Sequence, residues 1–203
     1  VDQPLAAFQC PSDTLGDIFA TRDAFQGSSA NPLAKGAKVN YAGNGGPVET
    51  WNGPDEAAIA ASLGTVRKLQ GVGLHEITDG LSKTILVGET SGVPATAGEE
   101  GMMASLITTA GHKWNSNPPT VLRYASKKLK SGHKMGFNSF HPDLVLFAFS
   151  DGSVQSLPED IGHNHNGWGA AASGVDFAYM KSATRGILQK LSHRADGNNT
   201  GSL

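Results

Sequence analysis

Residues 144–157 constrain the fold more than any other stretch. Leu144-Val145-Leu146-Phe147-Ala148-Phe149-Ser150 is an apolar run; Asp151-Gly152 follows, and then Ser153-Val154-Gln155-Ser156-Leu157. Two strand-like runs meeting at Asp-Gly predict a β-hairpin, because both central residues of a type I′ turn need positive φ, which Asp and Gly tolerate. Val145, Phe147 and Phe149 share one face of the first strand, and Leu144, Leu146 and Ala148 the other. With both faces apolar, the strand is expected to be central and covered on both sides. At about 25 cal/mol per Å2 of buried apolar area, its large side chains contribute roughly 1.5–3 kcal/mol each.

The remainder is rich in punctuation. Of 203 residues 26 are Gly, and only 17% are charged, a composition of many turns and short strands. Phe8-Gln9-Cys10-Pro11-Ser12-Asp13 reads as a short strand ending in a Pro-led turn, with Asp13 capping a helix over 14–21. Val39-Asn40-Tyr41-Ala42 reads as a strand that stops at the turn Gly43-Asn44-Gly45-Gly46-Pro47. A helix is expected over 55–62, a loop over 65–74, turn chemistry over 77–84, and a buried strand at Ile85-Leu86-Val87-Gly88-Glu89. A strand is expected over 105–109, with Trp114 anchoring the loop beyond it. Residues 162–174 read as a long irregular loop, 175–191 as one helix weakened at Gly186 or as two short helices, and 195–203 as a flexible tail.

Charge excludes one class of partner. The formal net charge of −2 creates no field that would gather nucleic acid. Lys127, Lys128, Lys130 and Lys134 form the one basic run, read as a solvated face. No window reaches the ~18 apolar residues of a membrane span. Apolar residues in strand-like order from the outset (Leu5, Phe8) predict a further segment upstream of Val1.

Several residues are candidates for chemistry. Cys10 is the one cysteine, so it has no partner within the chain, and no basic neighbour in sequence that would activate it; it reads as a buried or disulfide-forming thiol. Ser139, His141 and Asp151 contain the residue types of a hydrolase triad, but no serine sits in a G-x-S-x-G elbow and the turn already explains Asp151. His163 and His165 are candidate ligands for a divalent metal, with His133 or His141 as further donors, since zinc wants three or four; polar loop packing is the plainer reading. Asp196-Gly197-Asn198-Asn199-Thr200-Gly201 copies only the start of a calcium loop. Asn198 opens an N-x-T sequon and is a candidate glycosylation acceptor. Gly43-Asn44-Gly45-Gly46 lacks the Lys-Ser/Thr of a phosphate-binding loop.

Taken in order, Phe8-Gln9-Cys10-Pro11-Ser12-Asp13, Asn40-Tyr41-Ala42-Gly43-Asn44-Gly45-Gly46, Ile77-Thr78-Asp79-Gly80-Leu81-Ser82-Lys83-Thr84-Ile85-Leu86-Val87-Gly88-Glu89, and Phe137-Asn138-Ser139-Phe140-His141-Pro142 with Asp151-Gly152-Ser153-Val154, nine residues separating His141 from Asp151, resemble the DUF1559 family of planctomycete and related bacteria. Its members carry prepilin-type N-terminal methylation segments. The resemblance implies an α+β, pilin-like globular head across 1–203, with an antiparallel sheet, Gly-rich loops and a C-terminal helical segment. It implies a non-enzymatic pilin or pseudopilin subunit at the cell surface or secreted, partnered by copies of itself or by other pilin-like subunits. Any membrane contact falls to an upstream pilin helix, and a Cys in that region is implied as a partner for Cys10. The family supplies no catalytic residues and no cofactor; His141, Asp151 and Gly152 take structural roles. The alternatives are an extracytoplasmic glycan- or metal-binding module built on His163, His165 and Trp168, and a secreted hydrolase.

Overall fold

The computed structural model describes residues 3–14, 18–20, 35–37, 39–47, 63–66, 71–91, 122–132, 136–164 and 185–197. The strands are β1 (Ile18–Ala20), β2 (Lys35–Ala37), β3 (Tyr41–Gly46), β4 (Ile85–Glu89), β5 (Leu122–Tyr124), β6 (Leu144–Phe149) and β7 (Val154–Pro158), followed by helix α1 (Ile187–Ser192). β1 and β2 form an antiparallel ribbon. The other five form one sheet in the order β5-β3-β4-β6-β7.

That sheet is mixed, not wholly antiparallel as expected. β3 pairs antiparallel with β4, β4 with β6, and β6 with β7, but β3 and β5 run parallel. A parallel pair needs a long crossover, and residues 47–121 separate these two strands. Nothing local in the sequence marks such a pairing.

The 144–157 hairpin forms, with Leu144 opposite Pro158 and Ala148 opposite Val154. Its turn differs from the expected type I′. Gly152 N–H donates to Phe149 O at 2.9 Å and Phe149 N–H to Ser153 O at 2.8 Å. Gly152 alone is left-handed, at φ +87°, while Asp151 keeps a negative φ. This is the three-residue loop that ends in a glycine bulge. The extra residue moves the left-handed requirement off Asp151 and onto Gly152, where it costs least.

β6 lies between β4 and β7. Val145, Phe147 and Phe149 are fully buried, whereas Leu144, Leu146 and Ala148 are half-buried. One face is sealed and the other partly covered. The sealed face joins Ile85, Phe137, Leu157, Ile161, Leu188 and Leu191 in the main core, with Phe137 and Phe147 edge to face at a centroid distance of 5.0 Å. α1 packs across β3 and β4.

β3 overturns the expected turn at 43–47, since the strand runs through those glycines to Gly46. Each small residue answers a neighbour. A Cβ on Gly43 would meet Val66 at 2.9 Å, and one on Gly45 would meet the Tyr124 ring at 2.5 Å. Asn44 between them is buried and donates to Ile85 O and Ser192 O.

Further expectations change. Residues 18–20 of the expected 14–21 helix are strand β1, and the Asp13 carboxylate accepts from the Asn40 side chain. Phe8 belongs to a 3-10 turn, Ala6–Phe8, although the Pro-led turn beyond it is present, closed by Asp13 N–H to Cys10 O at 3.0 Å. The tail is held as far as Gly197, because the Asp79 carboxylate accepts the Asp196 and Gly197 N–H groups at 2.7 and 2.9 Å. Gly186 is the N-cap of α1, and a Cβ there would meet Gly162 O at 2.4 Å. The elements expected over 55–62, 105–109 and 175–184, with Trp114, His133, Lys134, His165, Trp168 and Asn198, lie outside the described residues.

Candidate functional site

Three segments distant in sequence meet beside the ends of β4 and β6. The Cys10 turn is pinned by Asn40, whose Oδ1 accepts the Cys10 N–H at 2.9 Å and whose Nδ2 donates to Thr90 O at 3.2 Å. Asn40 N–H in turn donates to Phe8 O. Glu89 is the last residue of β4. Its backbone pairs with Tyr41, and its Oε2 accepts the Leu146 N–H at 2.9 Å, beyond the last Gly88–Phe147 pairing of β4 with β6. His141 lies just before β6. Its N–H donates to Ser139 Oγ at 3.0 Å and its carbonyl accepts from Lys130 Nζ at 2.6 Å.

The side chains of these residues converge. His141 Nε2 lies 3.5 Å from Cys10 Sγ and 3.3 Å from Glu89 Oε1. Cys10 and Glu89 are buried, while the His141 side chain keeps 28% of its surface exposed. The other ring nitrogen, Nδ1, lies 3.4 Å from Ser12 Oγ. Burial pushes the Cys10 thiol up; the Ser12 N–H lowers it in part, and the Glu89 carboxylate adds to the rise. Burial first, then Cys10 and Glu89, push the Tyr41 phenol up as well. Asp13, Asn40, Thr90 and Asn138 line the shallow cleft around the group.

A thiol, an imidazole and a carboxylate in contact have the composition of a nucleophilic triad. In a triad the carboxylate holds one ring nitrogen while the nucleophile faces the other. Here both face Nε2. The raised thiol is also the reverse of an activated cysteine.

The other candidates lie elsewhere. Asp151 and Gly152 occupy the hairpin turn at the far end of β6, separated from His141 by a six-residue strand, about 20 Å long. Asp151 Oδ1 accepts from Ser153 Oγ and Ser153 N–H at 2.7 and 2.9 Å, and these bonds lower its carboxyl. Ser139, His141 and Asp151 are therefore not brought together. His163 sits against the backbone at Ala125 and Ser126, its imidazole pushed down mainly by burial. Among the described residues it joins no group of metal-ligating side chains.

A second group, Asp79, His193 and Asp196, is geometrically close, but its donors are engaged. Ala195 N–H donates to His193 Nδ1 at 2.9 Å, both Asp79 oxygens accept backbone N–H groups, and Asp196 lies 3.4 Å from the Arg185 guanidinium.

Sequence reasoning missed Glu89, read only as the end of a strand. A signal was available: Cys10, Glu89 and His141 each fall within or directly after a segment that carries the family resemblance.

A family model described as a protein of unknown function (DUF1559) matches residues 1–164. The chain belongs to this family. No curated protein and no solved structure matches. Cys10, Glu89, His141 and the Asp151 turn all lie within the span that matches DUF1559, whereas α1 and His193 lie beyond it.

Proposed function

We propose that this DUF1559 protein is a structural, non-enzymatic subunit with a pilin-like head, displayed outside the cell and assembling with copies of itself. The observation that carries this reading is the division of the motif residues between the two ends of β6. His141 ties the strand's start to the Cys10 turn and to Lys130, and Asp151 shapes the turn at its other end. Such an arrangement fixes a sheet instead of gathering acid, base and nucleophile around a substrate. A second feature supports assembly. Among the described residues β7 is an edge of the five-stranded sheet, with Val154 68% exposed on it, and an edge strand is a template for pairing with another chain.

The test is made on cells that produce the protein. Surface material sheared from them should contain it in filaments or ordered arrays visible by negative-stain microscopy with a specific antibody. Recovery of the protein as a monomer confined to the cytoplasmic fraction, or turnover by the purified chain on a broad ester and glycoside panel, would overturn the reading.

A further inference from the structure

We infer that Cys10, Glu89 and His141 form a binding site for one zinc-class divalent ion, with thiolate, carboxylate and imidazole as ligands and a fourth position facing the cleft.

Two of the three donor separations already match a tetrahedral ion. Bond lengths of about 2.3 Å to sulfur, 2.0–2.1 Å to nitrogen and 2.0–2.2 Å to oxygen at tetrahedral angles imply donor separations of about 3.5 Å for S···N and about 3.3 Å for N···O. The observed Sγ···Nε2 and Nε2···Oε1 separations are 3.5 and 3.3 Å, and all three donor atoms lie within 4.8 Å of one another.

An independent observation points the same way. The Glu89 side chain is only 2% exposed, and its buried Oε1 has no backbone donor, only the His141 ring at 3.3 Å and the Cys10 thiol beside it. Buried carboxylate oxygens are paired or coordinate metals, because leaving one unsatisfied is costly. Its sister Oε2 is held by the Leu146 N–H, which aims Oε1 at Nε2 and Sγ.

Each ligand is also oriented from behind. Ser12 Oγ lies against His141 Nδ1, which leaves Nε2 facing the cluster, and Asn40 fixes the Cys10 backbone. Outer partners of this kind set the tautomer and direction of ligating groups. A mixed sulfur, nitrogen and oxygen set favours zinc and its neighbours over magnesium or calcium, which take oxygen. The ion would convert the protonated thiol to a thiolate by its own charge. The Asp79, His193 and Asp196 group shows the contrast, since backbone N–H groups and the Arg185 guanidinium already engage donor atoms of that set.

The test uses the tag-free chain, stripped with a chelator and kept reduced. Titration with Co2+ should give one equivalent of binding with a thiolate-to-cobalt absorption band, and stoichiometric Zn2+ should displace it. Cys10→Ser should abolish the band, and His141→Ala and Glu89→Gln should each weaken Co2+ binding at least tenfold. Zn2+ should raise the melting temperature of the native chain, Mg2+ should not, and Glu89→Gln should lose the zinc response. Glu89→Gln keeps the side-chain shape and an acceptor for Leu146, so it tests the site even where Cys10→Ser does not fold. A folded native chain without the cobalt band, or a zinc response unchanged in Glu89→Gln, would overturn the assignment. Neither result bears on filament assembly.

Discussion

Asn44 Nδ2 donates to Ser192 O at 2.9 Å across 148 positions of sequence. The same amide donates to Ile85 O at 2.8 Å, and Asn44 Oδ1 accepts the Gly46 N–H at 2.9 Å. One fully buried side chain thus joins β3, β4 and the end of α1. Asn44→Ala leaves two carbonyls and an N–H to be satisfied in a dry interior, so it should destabilise the chain by about 2–4 kcal/mol. Asn44→Asp should be no better, because a carboxylate offers acceptors where Ile85 and Ser192 need donors. Thermal melts of both variants check this; a shift within the range of neutral surface substitutions would remove Asn44 from its central place.

What was legible in the sequence follows the range of the interactions. The Asp151-Gly152 hairpin and the apolar run of β4 were readable because alternation and turn chemistry are local. The precise turn was not, because one bulged residue changes which position is left-handed without changing the composition. β3 was misread because its glycines signal a turn to any local rule, whereas Val66 and Tyr124, both remote, are what demand them. Cys10 and His141 were singled out separately, but they lie 131 residues apart. Nothing in the spacing could bring them to one point or add Glu89 to them.

Acid should weaken the fold through His193. Burial first, then the Arg185 and Arg194 charges, push its imidazole down from 6.5 to about 3. Ala195 N–H also donates into Nδ1, a bond that only the neutral ring can accept. Asp79 Oδ2, 3.9 Å from Nδ1, is turned to the Asp196 N–H. The unfolded chain therefore takes up this proton before the folded one. The stabilisation is fully present above pH 6.5 and is lost between 6.5 and about 3, at up to ~1.4 kcal/mol per pH unit. Urea midpoints measured across that range should fall with this slope, and His193→Asn, which keeps an acceptor for Ala195, should flatten it. An unchanged slope in that variant would place the acid sensitivity elsewhere.

Two glycine-to-alanine substitutions should separate strain from crowding. Gly152 is left-handed at φ +87°, and a Cβ there meets nothing within 4 Å. Gly152→Ala should cost roughly 1–2 kcal/mol from backbone conformation alone, and Gly152→Asn less. A Cβ on Gly88 would lie 2.5 Å from both the Phe137 and Phe147 rings. Gly88→Ala should therefore cost about 1–3 kcal/mol or more, by forcing apart the edge-to-face pair. Near-ultraviolet circular dichroism should change for Gly88→Ala and not for Gly152→Ala. The same spectrum for both would mean that the rings yield without losing their packing.

Glu89 should behave unlike an ordinary buried acid when metal is withheld. Its Oε2 is useful to the fold, as the acceptor for Leu146 N–H, while Oε1 has only the His141 ring and the Cys10 thiol beside it. In chelator, Glu89→Gln keeps the useful oxygen, and its amide supplies N–H groups toward Cys10 Sγ and His141 Nε2. A buried negative charge is removed and two acceptors gain a donor, so the variant should melt at or above the native temperature. Glu89→Ala removes the Leu146 partner as well and should lose about 1–3 kcal/mol. Melting curves of the three proteins in chelator decide between these outcomes. A drop in Glu89→Gln as large as that in Glu89→Ala would mean that the metal-free protein already satisfies the carboxylate charge, and that Oε1 is not waiting for a cation.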